Sequence, residues 1–256
     1  MPGLETTLLL CLAALAAGWI DAVAGGGGLV QLPALLLGLP TAGSEAVLGT
    51  NKLSSVWGTA SAAITFVRRQ PPDLRTALPM AVVAFLGAAA GAASASLVPP
   101  GAFRPLVLVL LVGVLAYTAL RPSAGEVEAL RHSGRRHYGI AVAAGAVIGF
   151  YDGIFGPGTG SFLVIVLVGL LGYSFVRASG AAKVVNAGTN CAALLLFASQ
   201  GAVLWQLGLV MGACNLAGGV LGARTVITRG SGFVRGVLVA VVSVLILRLG
   251  YDVLRG

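Results

Sequence analysis

Long apolar runs cover most of this chain, and they restrict its fold more than any other feature. Several of them, such as 77–98, 178–197 and 233–253, are about 20 residues long, the length that a helix needs to cross the hydrocarbon core of a bilayer. The runs are continuous rather than alternating, which argues against a transmembrane β-barrel. Only 9% of the residues are charged, against about a quarter in a soluble domain. The sequence therefore predicts an all-α, polytopic helical membrane protein that sits in a lipid bilayer.

Two of the apolar runs are interrupted by glycine-rich breaks. The first break is the run of four glycines at 25–28, and the second, at 156–160, follows about 131 residues later. Consecutive glycines end a helix, because each costs about 1 kcal/mol of helix propensity relative to alanine. Irregular backbone at membrane depth is tolerated only where it is buried in protein or lines a water-filled cavity. We therefore predict that the two breaks face each other and form a substrate site.

The second half of the chain repeats the first. In each half an aspartate precedes the break, a short apolar piece (29–39 or 161–171) follows it, and a long helix with a polar face comes next. Short, Gly/Pro-interrupted segments at matching positions in two halves indicate a transporter binding site. We predict a first transmembrane repeat at 1–120, a polar connecting loop at 121–137 and a second repeat at 138–256. We expect about eight full spans plus two short broken or re-entrant helices.

The distribution of basic residues indicates which side of the membrane each loop of the chain faces. If the short pieces also cross the membrane, each half has five crossings and the two repeats are inverted. Roughly eleven basic residues then fall on one side of the membrane, against three on the other. The eleven lie in the loops at 68–75, 121–137, 177 and 224–235. The positive-inside rule favours this arrangement, which places both termini outside the cytoplasm. The basic residues form no stripe with interleaved aromatic residues, so the net charge of +8 does not predict a nucleic-acid partner.

The sequence contains no enzymatic or metal-binding pattern. Its glycine runs lack the Gly-Lys-Ser/Thr of a phosphate-binding loop and do not fit the dinucleotide fingerprint. His132 and His137 lie in the predicted polar loop, away from any pair of carboxylates, and we expect both to be solvated. The three cysteines lie inside apolar runs without metal-ligand spacing. We therefore expect a protein that is not an enzyme, with no catalytic residues, no metal site and no cofactor.

Asp21 and Asp152, the aspartates before the breaks, are the candidate coupling residues. A charge near the bilayer centre costs about 2.5–3.5 kcal/mol on insertion scales. In the functional interpretation, each carboxylate takes up a proton, or coordinates a cation, as the substrate moves. In the alternative interpretation, each is a cap or hydrogen-bond anchor for the broken backbone. The sequence leaves both interpretations open.

Lys52 and Lys183 are the only lysines in the chain, and each lies in the long helix that follows a break. We interpret Lys183 as an anion-binding residue, with snorkelling to the membrane interface as the alternative. For Lys52 both interpretations stay open. Asn51, Asn186 and Asn190 can donate and accept hydrogen bonds in a dry environment, either to a substrate or between helices.

The predicted substrate site combines these side chains with the backbone of both breaks. Glycine amides and the N-termini of the short helices add partial positive charge, and together these groups suit a small oxyanion. The predicted substrate-binding residues are Gly25, Gly26, Gly27, Gly28, Asn51, Gly156, Gly158, Thr159, Gly160, Lys183, Asn186 and Asn190.

Two pairs of motifs carry a resemblance to a known family. They are GWIDAVAGGGGLVQLPALL at 18–36 with GTNKL at 49–53, and GFYDGIFGPGTGSF at 149–162 with AKVVN at 182–186. Through these motifs, and along essentially its whole length, the chain resembles the TauE/SafE family of sulfite-exporter-like permeases of the bacterial inner membrane. Pro157 and Thr159 stand in the second break where the first has glycines, so the two breaks are not chemically identical.

The resemblance implies secondary transport of small anions, since members of the family are linked to sulfite, thiosulfate and organosulfonates. We therefore predict a secondary membrane transporter of small anions, with sulfur oxyanions or organosulfonates (sulfite-, thiosulfate- or sulfoacetate-like) as substrates and protons or cations as coupling ions. The alternatives are a passive anion channel and a non-transporting membrane assembly protein, for which the 121–137 loop would be the docking point. The sequence leaves the oligomeric state open.

Overall fold

All regular secondary structure is helical in the residues that the computed structural model describes, 2–94, 100–121 and 123–254. The predicted all-α class is confirmed for this part of the chain. The helices, in chain order, are α1 (Leu4–Ala24), α2 (Gly28–Gly38), α3 (Ser44–Arg69), α4 (Leu74–Ser94), α5 (Pro100–Leu120), α6 (Gly134–Ile154), α7 (Thr159–Val166) with a π-helical turn after it (Leu167–Leu171), α8 (Phe175–Ser199) and α9 (Trp205–Leu254).

Four helices among the described residues are long and apolar enough to cross a membrane. The pieces after the two breaks, α2 and α7 with its π-helical turn, are apolar but shorter, as the sequence predicts. Large apolar side chains cover the outer faces of the bundle, and in water such a surface would be unusually apolar. The four candidate spans are Leu4–Ala24, Leu74–Ser94, Phe175–Ser199 and Trp205–Val244. Examples of the exposed apolar side chains are Leu8, Leu12, Leu78, Val82, Leu86, Leu195 and Leu209.

Small residues allow α4 and α6 to pack backbone against backbone. A Cβ atom added at Gly149 of α6 would meet the backbone of Ala84, and one added at Gly87 of α4 would meet that of Ala146. Close approach of this kind is the usual way in which membrane helices associate. The contact fixes the start of the second half of the chain against the first. The predicted end of the α4 run, at 95–98, lies outside the described residues.

α9 joins two apolar runs that the sequence separates by a loop at 224–235. The connection is shorter than predicted, because this segment is helical except at Gly230, where φ is 75° and ψ is −171° and two helices meet at a kink. Positive φ is accessible to glycine at little cost, so the chain bends at a single residue. Beyond the bend, Val234 and Leu238 are buried in the main apolar core.

The polar connecting segment packs against the turn before α8. α6 begins at Gly134, so the last residues of the predicted 121–137 loop are helical. Ala129 N donates to the Gly172 carbonyl oxygen at 2.8 Å, and Phe175 N donates to the Gly125 carbonyl oxygen at 2.8 Å. These bonds hold the connecting segment on the end of the π-helical turn.

Candidate functional site

The two helix breaks lie against each other inside the bundle. A Cβ atom added at Gly25 would meet the backbone of Gly160, and one added at Gly160 would meet that of Gly25. Gly25 also has a φ of 78°, which favours glycine. Ser161 Oγ donates a hydrogen bond to the Ala24 carbonyl oxygen at 2.6 Å, and this bond joins the start of α7 to the end of α1. The structure thus brings together the two segments that the sequence predicts to face each other.

A polar cavity lies beside this contact. The space that the centre of a water-sized sphere can reach is about 30 Å³, more than the roughly 10–15 Å³ that one water molecule needs. Both breaks, the polar faces of α3 and α8, and one residue of α9 form the wall, which offers hydrogen-bond donors and acceptors to a small ion. The lining residues are Ala17, Asp21, Gly25, Gly27, Gly28, Asn51, Lys52, Ser55, Thr59, Asp152, Gly156, Gly158, Gly160, Asn186, Asn190 and Asn215.

The two aspartates form ion pairs with the two lysines, and each pair joins one half of the chain to the other. Lys183 Nζ lies 2.8 Å from Asp21 Oδ2 and donates to the Asp21 carbonyl oxygen at 2.6 Å. Lys52 Nζ lies 3.0 Å from Asp152 Oδ2 and donates to the Asp152 carbonyl oxygen at 3.1 Å. Both lysine side chains are buried. Removing one member of a buried ion pair typically costs about 3–5 kcal/mol.

The surroundings of the two carboxylates differ. Thr159 Oγ1 lies 2.8 Å from Asp152 Oδ1 and 2.7 Å from the Gly156 carbonyl oxygen, and its hydroxyl hydrogen is shared between these two acceptors. Asp152 Oδ2 is 3.0 Å from Lys52 Nζ but has no hydrogen-bond partner among the described residues. The Asp21 carboxylate contacts Lys183 through Oδ2, and no donor among the described residues reaches its Oδ1. The Asp21 side chain is 16% exposed, against 2% for Asp152. Both carboxylates line the cavity, and Asp152 is the more deeply buried of the two.

The three asparagines predicted for the site all line the cavity. Asn190 Nδ2 donates to Asn186 Oδ1 at 3.4 Å, and Thr189 Oγ1 donates to the same oxygen at 3.2 Å. Asn51 is 8% exposed, and its buried Oδ1 has no hydrogen-bond partner among the described residues. A buried acceptor without a donor is costly, so Asn51 offers an acceptor to whatever enters the cavity.

Three of the predicted site residues lie behind the lining. A Cβ atom added at Gly26 would meet Val241 of α9 at 2.8 Å, so Gly26 shapes a helix contact. Thr159 donates to Asp152, and Lys183 holds Asp21. Thr159 and Lys183 therefore affect the cavity only through Asp152 and Asp21, which line it. The predicted site residues that do line the cavity are Asp21, Gly25, Gly27, Gly28, Asn51, Asp152, Gly156, Gly158, Gly160, Asn186 and Asn190.

Gln31 and Asn215 belong to a polar network that the sequence reasoning missed. Gln31 is fully buried, and its Oε1 accepts hydrogen bonds from Asn215 Nδ2 and Ser54 Oγ. Its Nε2 donates to the Asn51 carbonyl oxygen at 3.3 Å. The network joins α2 to α3 and α9 at the edge of the cavity. The other lining residues outside the predicted set are Ala17, Lys52, Ser55 and Thr59.

A single polar residue in an apolar membrane run is the signal that identifies such residues. Gln31 is the one polar side chain in the short apolar piece 29–39, where a polar group needs a partner inside the protein. Asn215, like Gln31, is a polar residue whose neighbours in the sequence are mainly apolar. Reading these two residues as functional candidates would have extended the predicted site to α9.

A second buried polar cluster lies at the start of α6, away from the cavity. The prediction of a solvated loop is wrong for His137, which is 5% exposed, because the first turn of α6 packs against the loop before α4. His137 Nε2 lies 2.9 Å from Thr76 Oγ1 and 3.0 Å from Tyr173 OH. Tyr173 OH donates to Asp73 Oδ2 at 2.7 Å. His132 stays in the loop and is partly exposed.

Hydrogen bonds determine the charge state of Asp73 in this cluster. Burial alone would raise the pKa of Asp73, but hydrogen bonds from Tyr173 OH, from Thr76 Oγ1 and from the Arg75 amide outweigh burial and hold this pKa below its ordinary value. Burial raises the pKa of Tyr173, and the neighbouring Asp73 carboxylate adds to that effect. The cluster therefore holds an ionised Asp73 carboxylate beside the hydroxyl groups of Thr76 and Tyr173, and it links the loop before α4 to the turn before α8.

A polar cavity between two broken helices, inside a bundle with an apolar outer surface, is typical of transporters. The fold and the site thus define a multi-pass membrane transporter. The family model described as sulfite exporter TauE/SafE matches residues 10–249, so the chain belongs to the TauE/SafE family. The resemblance seen in the two pairs of motifs is confirmed.

Similar proteins of three bacteria carry transporter names. The probable membrane transporter protein ORF9 of Sinorhizobium sp. is 38% identical over 244 residues, which cover 95% of this chain and 92% of that protein. A probable membrane transporter protein of Haemophilus influenzae is 35% identical over 251 residues, or 98% and 96% of the two chains. The probable membrane transporter protein YfcA of Escherichia coli is 37% identical over 247 residues, or 95% and 89%. The predictions of a membrane transporter and of a protein that is not an enzyme are confirmed.

Proposed function

We propose that this chain is a secondary transporter that moves small anions across the bacterial inner membrane, coupled to protons or cations. The substrates are sulfur oxyanions or organosulfonates of the sulfite, thiosulfate or sulfoacetate kind. The observation that carries the proposal is the meeting of the two helix breaks at one polar cavity. Backbone that leaves the helical form inside a membrane protein is found where it lines a cavity for a substrate or an ion.

The proposed architecture is a pair of inverted repeats, 1–120 and 138–256, with about eight full spans and with α2 and α7 as the short broken helices. The ion pairs support this relationship between the halves. In each half the lysine follows the aspartate by 31 residues, yet each aspartate pairs with the lysine of the other half. A pseudo-two-fold axis between two copies of one unit accounts for such an exchange. The excess of basic residues in the loops on one side supports inversion, with both termini outside the cytoplasm.

The chemistry of the cavity wall supports an anion as the substrate. Gly28 at the start of α2 and Gly158 before the start of α7 both line the cavity. The partial positive charge of two helix N-termini therefore lies at the same space. The side-chain amides of Asn186 and Asn190 can add neutral donors. Since both lysines are already paired with carboxylates, the backbone amides and asparagines are the proposed anion-binding groups.

The small size of the cavity supports a substrate of few atoms. About 30 Å³ is open to the centre of a water-sized sphere, which is room for a small number of atoms rather than for a large organic molecule. Asp21 and Asp152, which both border this space, are the proposed coupling residues. Their carboxylates are within reach of an ion that shares the cavity with the substrate.

Flux measurements in proteoliposomes test the proposal. The purified full-length chain is reconstituted and supplied separately with sulfite, thiosulfate, sulfoacetate and simple carboxylates, with and without an imposed pH or Na⁺ gradient. We expect at least one sulfur anion to accumulate against its own gradient when an ion gradient is present, and protein-free liposomes to show no accumulation. Uptake that only follows the substrate gradient would instead indicate a passive anion channel. Absence of flux for every anion, together with a stable co-purifying protein, would indicate a membrane assembly protein.

A further inference from the structure

An apolar groove lies on the outer surface of the bundle, between α4 and α8. About 290 Å³ of it is open to the centre of a water-sized sphere, against about 30 Å³ in the polar cavity. Because α4 is one of the candidate membrane spans, we expect its outer face to lie against lipid. The groove is lined by six residues without a polar side chain, which are Leu78, Ala81, Val82, Phe85, Leu86 and Gly188.

A glycine keeps the groove open on the α8 side. A Cβ atom added at Gly188 would lie 3.4 Å from the Ala81 carbonyl oxygen and 3.8 Å from Ala81 Cβ, which is ordinary van der Waals contact. Helix packing therefore does not require glycine at this position, although glycine is a poorer helix former than alanine. The effect of Gly188 is to leave space between the two helices.

The outer rim of the groove is one face of α4, and an arginine stands at its start. Arg75, Leu78, Val82 and Leu86 follow one another at intervals of three or four residues, so they share a face of the helix, and all four are exposed. At 1.5 Å per residue, this face is about 16 Å long from Arg75 to Leu86. That length is close to half of the roughly 30 Å of a bilayer's hydrocarbon core, which is the depth of one leaflet.

The charged end of the groove is basic and has no ion pair. Arg68, Arg69 and Arg75 are exposed, and within the described ranges of the chain none of them pairs with a carboxylate. The one acidic residue of this segment, Asp73, already accepts hydrogen bonds from Tyr173 OH and from the Arg75 amide. Unpaired positive charge at the end of an apolar groove one leaflet deep matches an anionic headgroup above a hydrocarbon chain.

A second copy of this chain fits the same groove less well. Two copies in one membrane have the same orientation, so a two-fold contact through the groove would bring the arginines of both copies to the same level. Like charges that face each other oppose association. Membrane helices also associate through small residues, whereas the rim residues Leu78, Val82 and Leu86 are large.

We propose that this groove binds one phospholipid with an anionic headgroup. The phosphate lies at Arg75, and one acyl chain lies along the face from Leu78 to Leu86, against Gly188. Two residues from Gly188 in either direction, on the opposite side of α8, are Asn186 and Asn190 of the polar cavity. The bound lipid therefore supports from outside a helix that forms the cavity wall. This site does not depend on the identity of the transported substrate.

Native mass spectrometry of the purified, delipidated full-length chain tests the proposal. The probes are phosphatidylglycerol and phosphatidylcholine with identical acyl chains, each titrated separately. Arg75→Gln removes the charge at the headgroup, and its control is Arg229→Gln, an exposed arginine beside the bend of α9, a helix that does not line the groove. Gly188→Leu fills the groove, and its control is Gly113→Leu, at an exposed position of α5 where an added Cβ atom would meet nothing within 4 Å.

We expect the first phosphatidylglycerol to bind more tightly than the first phosphatidylcholine. Arg75→Gln should weaken phosphatidylglycerol binding about fivefold, the effect of one basic residue near an anionic lipid, and leave phosphatidylcholine binding unchanged. Gly188→Leu should weaken binding of both lipids about tenfold, because it displaces about two methylene groups of the chain. Both controls should bind both lipids as the unmodified chain does.

Three results would each overturn the proposal: equal affinity for the two lipids, the same effect in Arg75→Gln and Arg229→Gln, or unchanged binding in Gly188→Leu. A dimer that forms without lipid and that Gly188→Leu separates would also overturn it, because a second copy would then occupy the groove. Since the measurement needs no transported anion, a failure of the proposed transport function would leave its outcome unaffected.

Discussion

Lys183 and Asp21 are 162 residues apart in the chain and form a 2.8 Å ion pair between α8 and α1. Lys52 and Asp152 are 100 residues apart and form the equivalent pair between α3 and α6. Each polar-faced helix is thereby fixed to the first helix of the opposite half. Four side chains thus join the two halves and place two charges of each sign beside the cavity.

Replacing Lys183 by methionine should lower the stability of the protein markedly. Methionine preserves much of the apolar stem but leaves the Asp21 carboxylate without its counter-ion, a change that typically costs about 3–5 kcal/mol in a buried site. Thermal unfolding of the purified variant in detergent at about pH 8 measures the loss. The control is Asp21→Asn/Lys183→Met, which removes both charges and should recover most of the stability. A single variant as stable as the unmodified chain would show that the pair contributes nothing.

Gly25→Ala should abolish transport and reduce the yield of folded protein. The added methyl group would meet the backbone of Gly160, and alanine is strained at a φ of 78°. The two breaks would have to separate to make room. Size-exclusion chromatography and flux into proteoliposomes measure the outcome. Gly43→Ala is the matched control, because no atom lies within 4 Å of a Cβ at Gly43; equal effects of the two changes would refute the role of the close contact.

Gln31→Leu should destabilise the contact of α2 with α3 and α9. Leucine has a similar volume but leaves Asn215 Nδ2 and Ser54 Oγ without their buried acceptor, and each unsatisfied group costs about 1–3 kcal/mol. We expect a clear drop in thermal stability and weaker uptake of whichever anion is transported. Leu37→Ala, on the same helix but 82% exposed, should have little effect on either. The prediction is contradicted if the Gln31 variant unfolds at the temperature of the unmodified chain.

The hydrogen bonds to Asp73 should stabilise the fold only while this carboxylate is ionised. Its pKa in the folded chain lies below its ordinary value of 3.8, so the stabilisation is complete above pH 3.8 and is lost as the pH falls through the folded value. Asp73→Asn should therefore lower thermal stability at neutral pH, and the difference from the unmodified chain should shrink below pH 3.8. Unfolding temperatures measured over this range check the prediction, with the exposed Glu126→Gln as control. A difference that does not depend on pH would contradict it.

The features that could be predicted from sequence are those that a local pattern of residues determines. Apolar runs of span length predict the helices, and the glycines at 25–28 predict the end of α1, because neither feature depends on distant residues. The repeated order of aspartate, break and polar-faced helix also predicts that the two breaks meet. Asn51 and Asn186 were found in this way, since each lies on the polar-faced helix that follows its break.

The features that could not be predicted depend on contacts between distant segments. Nothing near Lys183 in sequence identifies Asp21 as its partner, because helix packing alone brings the two together. His137 appeared solvated for the same reason: its partner Tyr173 lies 36 residues away. The short connection inside α9 could not be predicted either, because the helical backbone is interrupted only at Gly230, a residue type that a longer loop would use equally well.

Each ion pair joins a residue of one half to a residue of the other, and this has a consequence for biogenesis. Ribosomal synthesis delivers α1 to α5 before α6 and α8 exist, so Asp21 and Lys52 enter the membrane without their final partners. A charge held at the centre of a bilayer costs about 2.5–3.5 kcal/mol on insertion scales. The first half therefore cannot complete its packing until the second half has been inserted beside it. A nascent chain arrested after α5 would present two unmatched charges to the machinery that degrades incomplete membrane proteins.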